Sequence, residues 1–205
     1  GSLAWSNPVG RWWVFLTVVS GANIAAWFVL YRELPVQTTT SAGSTSIGAM
    51  LLLSAAYVFG CAFRSLLPRA DVQRICLFDT WLSSVVVGRS VATVAEIAFV
   101  AQWAVILHLL GTMTDSEIVL IAAWVIVPLI LIAECFSWYA VLTTHYLYNA
   151  IENSLWAIAF FIIGIGLCRL LPEFDGLVRM AFAVSIVGIV GYLAFRQGRL
   201  RDEQE

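Results

Sequence analysis

The fold class of this chain is decided by residues 82–110, which read LSSVVVGRSVATVAEIAFVAQWAVILHLL. Only two of these side chains, Arg89 and Glu96, carry a full charge at neutral pH. A helix of this length extends about 43 Å, which exceeds the ~30 Å of hydrocarbon in a bilayer. The segment therefore predicts a helix that spans a membrane.

The composition of the whole chain supports the same interpretation. Of 205 residues, 61% are hydrophobic and 12% are charged, whereas a soluble domain has about 25% charged residues. The mean hydropathy is +0.90, and so much apolar surface requires lipid as a solvent. We therefore predict an all-α polytopic integral membrane protein, a single transmembrane domain over residues 1–205. Its six spans lie near 11–31, 46–64, 82–110, 117–142, 146–171 and 177–195.

Two connections between the predicted spans need separate treatment. Residues 68–80, PRADVQRICLFDT, mix charged and apolar side chains, which is typical of a short interfacial amphipathic helix between spans 2 and 3. The turn between spans 4 and 5 is hard to place, because neither Gly nor Pro occurs between Pro128 and Gly164. We expect that turn near 142–145.

The net charge of the chain bears on whether it binds nucleic acid, and the distribution of arginine bears on its orientation in the membrane. The net charge is −2, and without a concentrated basic stripe the chain is not expected to bind nucleic acid.

Six spans place both termini and two of the loops on one side of the membrane, and arginine is unequally divided between the sides. One side has Arg11, Arg64, Arg69, Arg74, Arg196, Arg199 and Arg201, and the other has Arg32, Arg169 and Arg179. The positive-inside rule predicts that both termini are cytoplasmic.

Three successive spans carry one-sided stripes of polar side chains. They are Arg89, Thr93 and Glu96 on span 3, Glu134 and Ser137 on span 4, and His145, Asn149 and Glu152 on span 5. Spacings of three, four and seven residues place the members of each stripe on one helical face. Their similar distance from the cytoplasmic ends of the spans predicts that they converge on one cytoplasm-facing pocket.

The charges in these stripes do not balance. One arginine accompanies three glutamates, and each charge at the centre of a spanning helix costs about 2.5–3.5 kcal/mol. The surplus negative charge must be cancelled by protons, by His145 as a cation, by a divalent metal or by a cationic ligand. A buried Arg–Glu network that only fixes the packing of the helices is the structural alternative.

The residue types favour a membrane-embedded enzyme or binding protein for a lipid-soluble substrate. Four side chains suit a divalent metal cofactor through oxygen and nitrogen atoms, or general acid–base catalysis without metal: Glu96, Glu134, Glu152 and His145. The candidate substrate-binding residues are Arg89, Asn149, Thr93, Ser137 and Arg64. No catalytic motif such as GxSxG, HExxH or a P-loop occurs in the chain, so the sequence does not name a reaction.

Two other function classes remain open at this stage. A proton- or cation-coupled transporter or channel would use the three glutamates as its coupling sites. The outer halves of spans 4 to 6 are nearly all apolar, so a continuous route would require a homo-oligomer. A structural or interaction subunit, surrounded by membrane lipids, would need only the buried Arg–Glu network, and residues 68–80 and the arginine-rich segment 196–201 could dock a partner.

The arginine distribution generates a test of orientation. A fluorescent protein that matures only in the cytoplasm, fused after Glu205, should fluoresce in intact cells, because most of the flanking arginines lie on the side of that terminus. A dark fusion, paired with an active phosphatase fusion at the same position, would contradict the predicted orientation.

Overall fold

Six long helices make up most of the computed structural model, which describes residues 8–33, 41–67, 69–70, 75–76, 78 and 80–202, with side chains at 10–33, 47–67, 78 and 80–195. The helices are α1 (Pro8–Glu33), α2 (Ser41–Leu66), α3 (Val85–Met113), α4 (Glu117–Thr143), α5 (Tyr146–Leu170) and α6 (Gly176–Asp202). Each contains a stretch long and apolar enough to cross a membrane, and the predicted spans overlap all six stretches. The predicted all-α polytopic membrane protein is confirmed.

Left-handed residues mark the turns after the longest helices. Asp115 and Thr144 have φ values of 49° and 55°, and Gly176, at the start of α6, has a φ of 63°. A residue with positive φ cannot continue a right-handed helix, so it ends one helix before the next begins. Thr144 lies within the segment in which the sequence places the turn between spans 4 and 5.

The connection between α2 and α3 differs from the predicted interfacial helix. Arg69–Ala70 (β1) pairs antiparallel with Ile75–Cys76 (β2), and a 3₁₀ turn follows at Trp81–Ser83. The helix predicted near 68–80 is therefore wrong at β1 and β2, and residues 68, 71–74, 77 and 79 lie outside the described part of the chain. The strand pair satisfies backbone groups of these four residues by hydrogen bonds between two segments, where a helix would satisfy them within one.

The packing of the helices divides the chain into two compact units, Gly1–Gln102 with Trp138–Tyr146, and Trp103–Ser137 with Leu147–Glu205. Helices α3 and α4 contribute residues to both units, and so does α5 through its first residue, Tyr146. In the first unit, the Trp27 indole Nε1 on α1 donates to Ser54 Oγ on α2 at 3.0 Å. The core of the second unit contains the fully buried side chains Leu107, Val119, Ile126, Ile130, Ile163, Leu167 and Leu170. The prediction of a single domain stays a prediction.

Helices α2 and α3 approach closely where α2 has a glycine. A Cβ built on Gly60 would lie 2.7 Å from the Ala95 Cβ and 3.5 Å from the Val91 carbonyl oxygen. Real Cβ atoms do not approach so closely, so only glycine fits without a shift of the backbone. This contact brings the middle of α2 against the part of α3 that carries Glu96.

Replacing Gly60 with alanine should separate the two helices and lower the free energy of unfolding by about 1–3 kcal/mol, as overpacking does elsewhere. Gly48→Ala is the matched control in the same helix, because no atom lies within 4 Å of its built Cβ and alanine favours a helix more than glycine. Unfolding in detergent, followed by circular dichroism, provides the comparison. Equal stability of the two variants would contradict a tight contact at Gly60.

Candidate intramembrane carboxylate site

A buried ion pair lies along one face of α3. Arg89 Nη2 donates to Glu96 Oε2 at 3.0 Å, and the two side chains are 6% and 28% exposed. The residues are two helical turns apart on the same face, so the long arginine side chain extends along the helix to reach the carboxylate. A charge-assisted hydrogen bond of this kind is stronger than one between neutral groups. The stripe predicted on span 3 therefore contains an ion pair.

Thr93 lies between these two residues, and a tryptophan on α4 contacts it. The Trp138 indole Nε1 donates to Thr93 Oγ1 at 3.0 Å. Both side chains are half-buried, and the bond satisfies an indole donor that lipid could not satisfy. Thr93 therefore joins α3 to the C-terminal part of α4.

The stripe predicted on α4 is the most deeply buried of the three. Glu134 is 3% exposed and Ser137, about one turn away on the same face, is 1% exposed. On α5, Asn149 and Glu152 are half-buried, and the backbone carbonyl of Asn149 accepts a hydrogen bond from Asn153 Nδ2 at 2.8 Å.

Three of the predicted metal ligands form a group. One carboxylate oxygen from each of Glu96, Glu134 and Glu152 lies within 4.8 Å of the other two. His145 is exposed in the turn before α5, and Arg64 is half-buried in the last turn of α2. The structure thus contains a trio of carboxylates from α3, α4 and α5, and their role as ligands stays a prediction.

Three carboxylates at this separation repel one another strongly. Two unit charges less than 5 Å apart interact by roughly 3 kcal/mol or more at the effective dielectric constant of a protein. Arg89 pairs with Glu96 at 3.0 Å, and the formal charge of three carboxylates exceeds that of one arginine. The arrangement can therefore take up protons or a cation, and general acid–base chemistry or cation binding are the processes that it can perform.

Helix α2 contributes polar side chains that the sequence argument did not single out. The Tyr57 hydroxyl and the Cys61 thiol lie about one turn apart on α2, and the Glu96 carboxylate lies within electrostatic range of both. The Tyr57 ring packs against Phe99, with centroids 5.0 Å apart. With Arg64, these residues repeat the four- and seven-residue spacing of the α3 stripe. That spacing was visible in the sequence, but Tyr and Cys are ordinary residues in an apolar helix.

Removal of Arg89 should destabilise the protein through the carboxylate that it leaves behind. Arg89→Ala should cost about 3–5 kcal/mol of unfolding free energy, as breaking a buried ion pair does. Arg169→Ala removes the exposed partner of Glu173, which bonds at 3.0 Å with side chains 48% and 44% exposed, and should cost less than about 1 kcal/mol. In the double variant Arg89→Ala/Glu96→Gln much of the lost stability should return. An Arg89→Ala loss no larger than that of Arg169→Ala would contradict this energetic role.

Comparisons with known proteins identify no relative of this chain. No protein-family model, no curated protein and no solved structure matches it significantly. The function is therefore inferred from the residues and geometry of the carboxylate site.

Proposed function

We propose that the protein is a membrane-embedded enzyme that holds a divalent cation through Glu96, Glu134 and Glu152 and acts on a lipid-soluble substrate. The observation that carries this proposal is the approach of the three carboxylate oxygens to within 4.8 Å of one another. Oxygen ligands on opposite sides of one Mn²⁺ or Ca²⁺ ion are about 4–5 Å apart. The separation in the trio is therefore compatible with a shared cation.

The charge of the trio supports a divalent ion. Arg89 pairs with Glu96 through a 3.0 Å contact, and a divalent ion would add two positive charges to a group of three carboxylates. Carboxylate oxygens are hard ligands, which favour Mg²⁺, Mn²⁺ or Ca²⁺ over softer metals. His145 receives no coordinating role in this proposal, because its side chain is exposed in the turn before α5.

A cation at this position would supply electrophilic chemistry inside the membrane. It would polarise a carbonyl or phosphoryl oxygen of the substrate, or activate a bound water. Ser137, Thr93 and Asn149 belong to the same polar stripes and are the candidate substrate contacts. Glu134, the most buried carboxylate of the trio at 3% exposure, has the least access to water and therefore the greatest need for a compensating charge.

The proposal predicts a bound metal. Protein purified without chelator should contain about one equivalent of divalent metal, and metal-free protein should bind Mn²⁺ saturably in equilibrium dialysis. Glu134→Gln and Glu152→Gln should lose the metal, because a neutral amide is a much weaker ligand than a carboxylate. Glu117→Gln is the matched control, since Glu117 is an exposed glutamate in the first turn of α4, and it should keep the metal.

Proton uptake is the competing explanation, and the same variants separate it from metal binding. If protons neutralise the trio, glutamine mimics the protonated acid, so both variants should fold with at least the stability of the original protein. Protein without bound Mn²⁺, together with stable Glu134→Gln and Glu152→Gln variants, would overturn the metal proposal. That result would favour a proton-coupled transporter that uses the same three carboxylates.

A further inference from the structure

The hydrogen bond between Trp138 and Thr93 joins the two helices that carry the first two carboxylates of the site. The Trp138 indole Nε1 donates to Thr93 Oγ1 at 3.0 Å, and the two residues are 45 positions apart in the chain. Both side chains are half-buried, and a hydrogen bond from a ring N–H is short and directional. The bond therefore fixes where α4 lies against α3 at this level of the two helices.

Both carboxylates lie close to this bond and on the same side of it. Glu96 is three residues beyond Thr93 on α3, about 4.5 Å along the axis, and Glu134 is four residues before Trp138 on α4, about 6 Å along the axis. The chain reverses direction between these helices at the turn that contains Asp115, so both offsets run toward that turn. In agreement with this, a carboxylate oxygen of Glu134 lies within 4.8 Å of one of Glu96.

The separation of two helices that supply ligands decides which cation their carboxylates can share. Mg²⁺ requires near-ideal octahedral geometry with oxygen ligands at about 2.0–2.1 Å, whereas Ca²⁺ accepts flexible geometry with oxygen ligands at about 2.3–2.6 Å. A contact that holds α3 and α4 at one separation therefore favours the smaller ion. Helices that are free to move apart favour the larger one.

We infer that Trp138 and Thr93 are positioning residues that set the cation selectivity of the carboxylate site, by fixing the distance between the helix segments of Glu96 and Glu134. This inference rests on the proposed function, because it concerns the cation that the three carboxylates would hold. Neither positioning residue needs to touch the cation, since the effect is transmitted through the two helix backbones. A bond that only satisfied a half-buried indole would stabilise the fold without regard to the size of the ion.

The test compares Mg²⁺ with Ca²⁺ as competitors for bound Mn²⁺ in detergent-solubilised protein, and equilibrium dialysis measures the competition. Trp138→Phe keeps an aromatic ring and removes the donor, and Thr93→Val keeps the shape of the side chain and removes the acceptor. Each change should weaken Mg²⁺ binding about tenfold or more and Ca²⁺ binding less than about threefold, because residues that orient metal ligands affect affinity on this scale and Mg²⁺ tolerates less distortion. The ratio of the two affinities should shift toward Ca²⁺.

Trp27→Phe is the matched control, because the Trp27 indole also donates to a half-buried hydroxyl on a neighbouring helix, Ser54 Oγ, at 3.0 Å. That bond joins α1 to α2, which carry none of the three carboxylates, so the ratio should stay unchanged. Thr93→Ser keeps the acceptor oxygen and should recover most of the selectivity that Thr93→Val loses. The double variant Trp138→Phe/Thr93→Val should shift the ratio no further than either single change, because both remove the same bond.

The outcomes separate this inference from the proposed function. Protein that binds Mn²⁺ but keeps its ratio of Mg²⁺ to Ca²⁺ affinity in Trp138→Phe and Thr93→Val overturns the inference and leaves the metal site intact. An equal shift in Trp27→Phe also overturns it, since the ratio would then follow general destabilisation. Original protein that binds no Mn²⁺ overturns both proposals. Where a variant fails to fold, benzothienylalanine at position 138 replaces the indole N–H with sulfur at nearly the same shape, and an unchanged ratio in that protein overturns the inference.

Discussion

The requirement that charge be compensated inside hydrocarbon governs the rest of this structure. Arg89 and Glu96 satisfy it within a single helix, at 3.0 Å and two turns apart. Because that contact uses only α3, the pair can be present as soon as the helix forms, before any other helix packs against it. Glu134 and Glu152 lack an arginine on their own helices at a comparable depth, so their charges depend on contributions from elsewhere. The site thus contains an ion pair within one helix and two carboxylates from the next two helices of the chain.

The close packing of α2 on α3 gives this arrangement its second polar face. Gly60 allows the two backbones to approach, and the Cys61 thiol and the Tyr57 hydroxyl on the same helix lie within electrostatic range of Glu96. Small residues serve helix association in membranes in this way, because lipid offers no hydrophobic driving force between helices. The close approach of the helices and the polar side chains therefore occur at the same place. A large residue at position 60 would disturb both.

The spanning helices were predictable from the sequence because a membrane imposes a length and a polarity that few other environments require. The face of each polar stripe was predictable for the same reason, since helical periodicity alone fixes it. The pairing of Arg69–Ala70 with Ile75–Cys76 was not predicted, because an interfacial helix and a strand pair both satisfy the backbone groups of such a short segment. The Tyr57 and Cys61 pair was missed since composition counts both residues as apolar. The exposure of His145 depended on the position of the turn, which periodicity does not determine.

The left-handed Thr144 makes the geometry of the site depend on the spacing between this turn and the glutamates on either side of it. Along their helices, Glu134 and Glu152 lie about 15 Å and 12 Å from Thr144. The positions of both carboxylates therefore depend on how many residues separate them from this turn. Each residue of a helix advances the direction of the side chains by about 100°. Insertion or deletion of a single residue between Thr144 and either glutamate would therefore rotate that carboxylate away from the other two, although every acidic residue would still be present. The number of residues between each glutamate and the turn is therefore as specific to the site as the glutamates themselves. In a search for distant relatives, the lengths of the segments 134–144 and 144–152 should be compared.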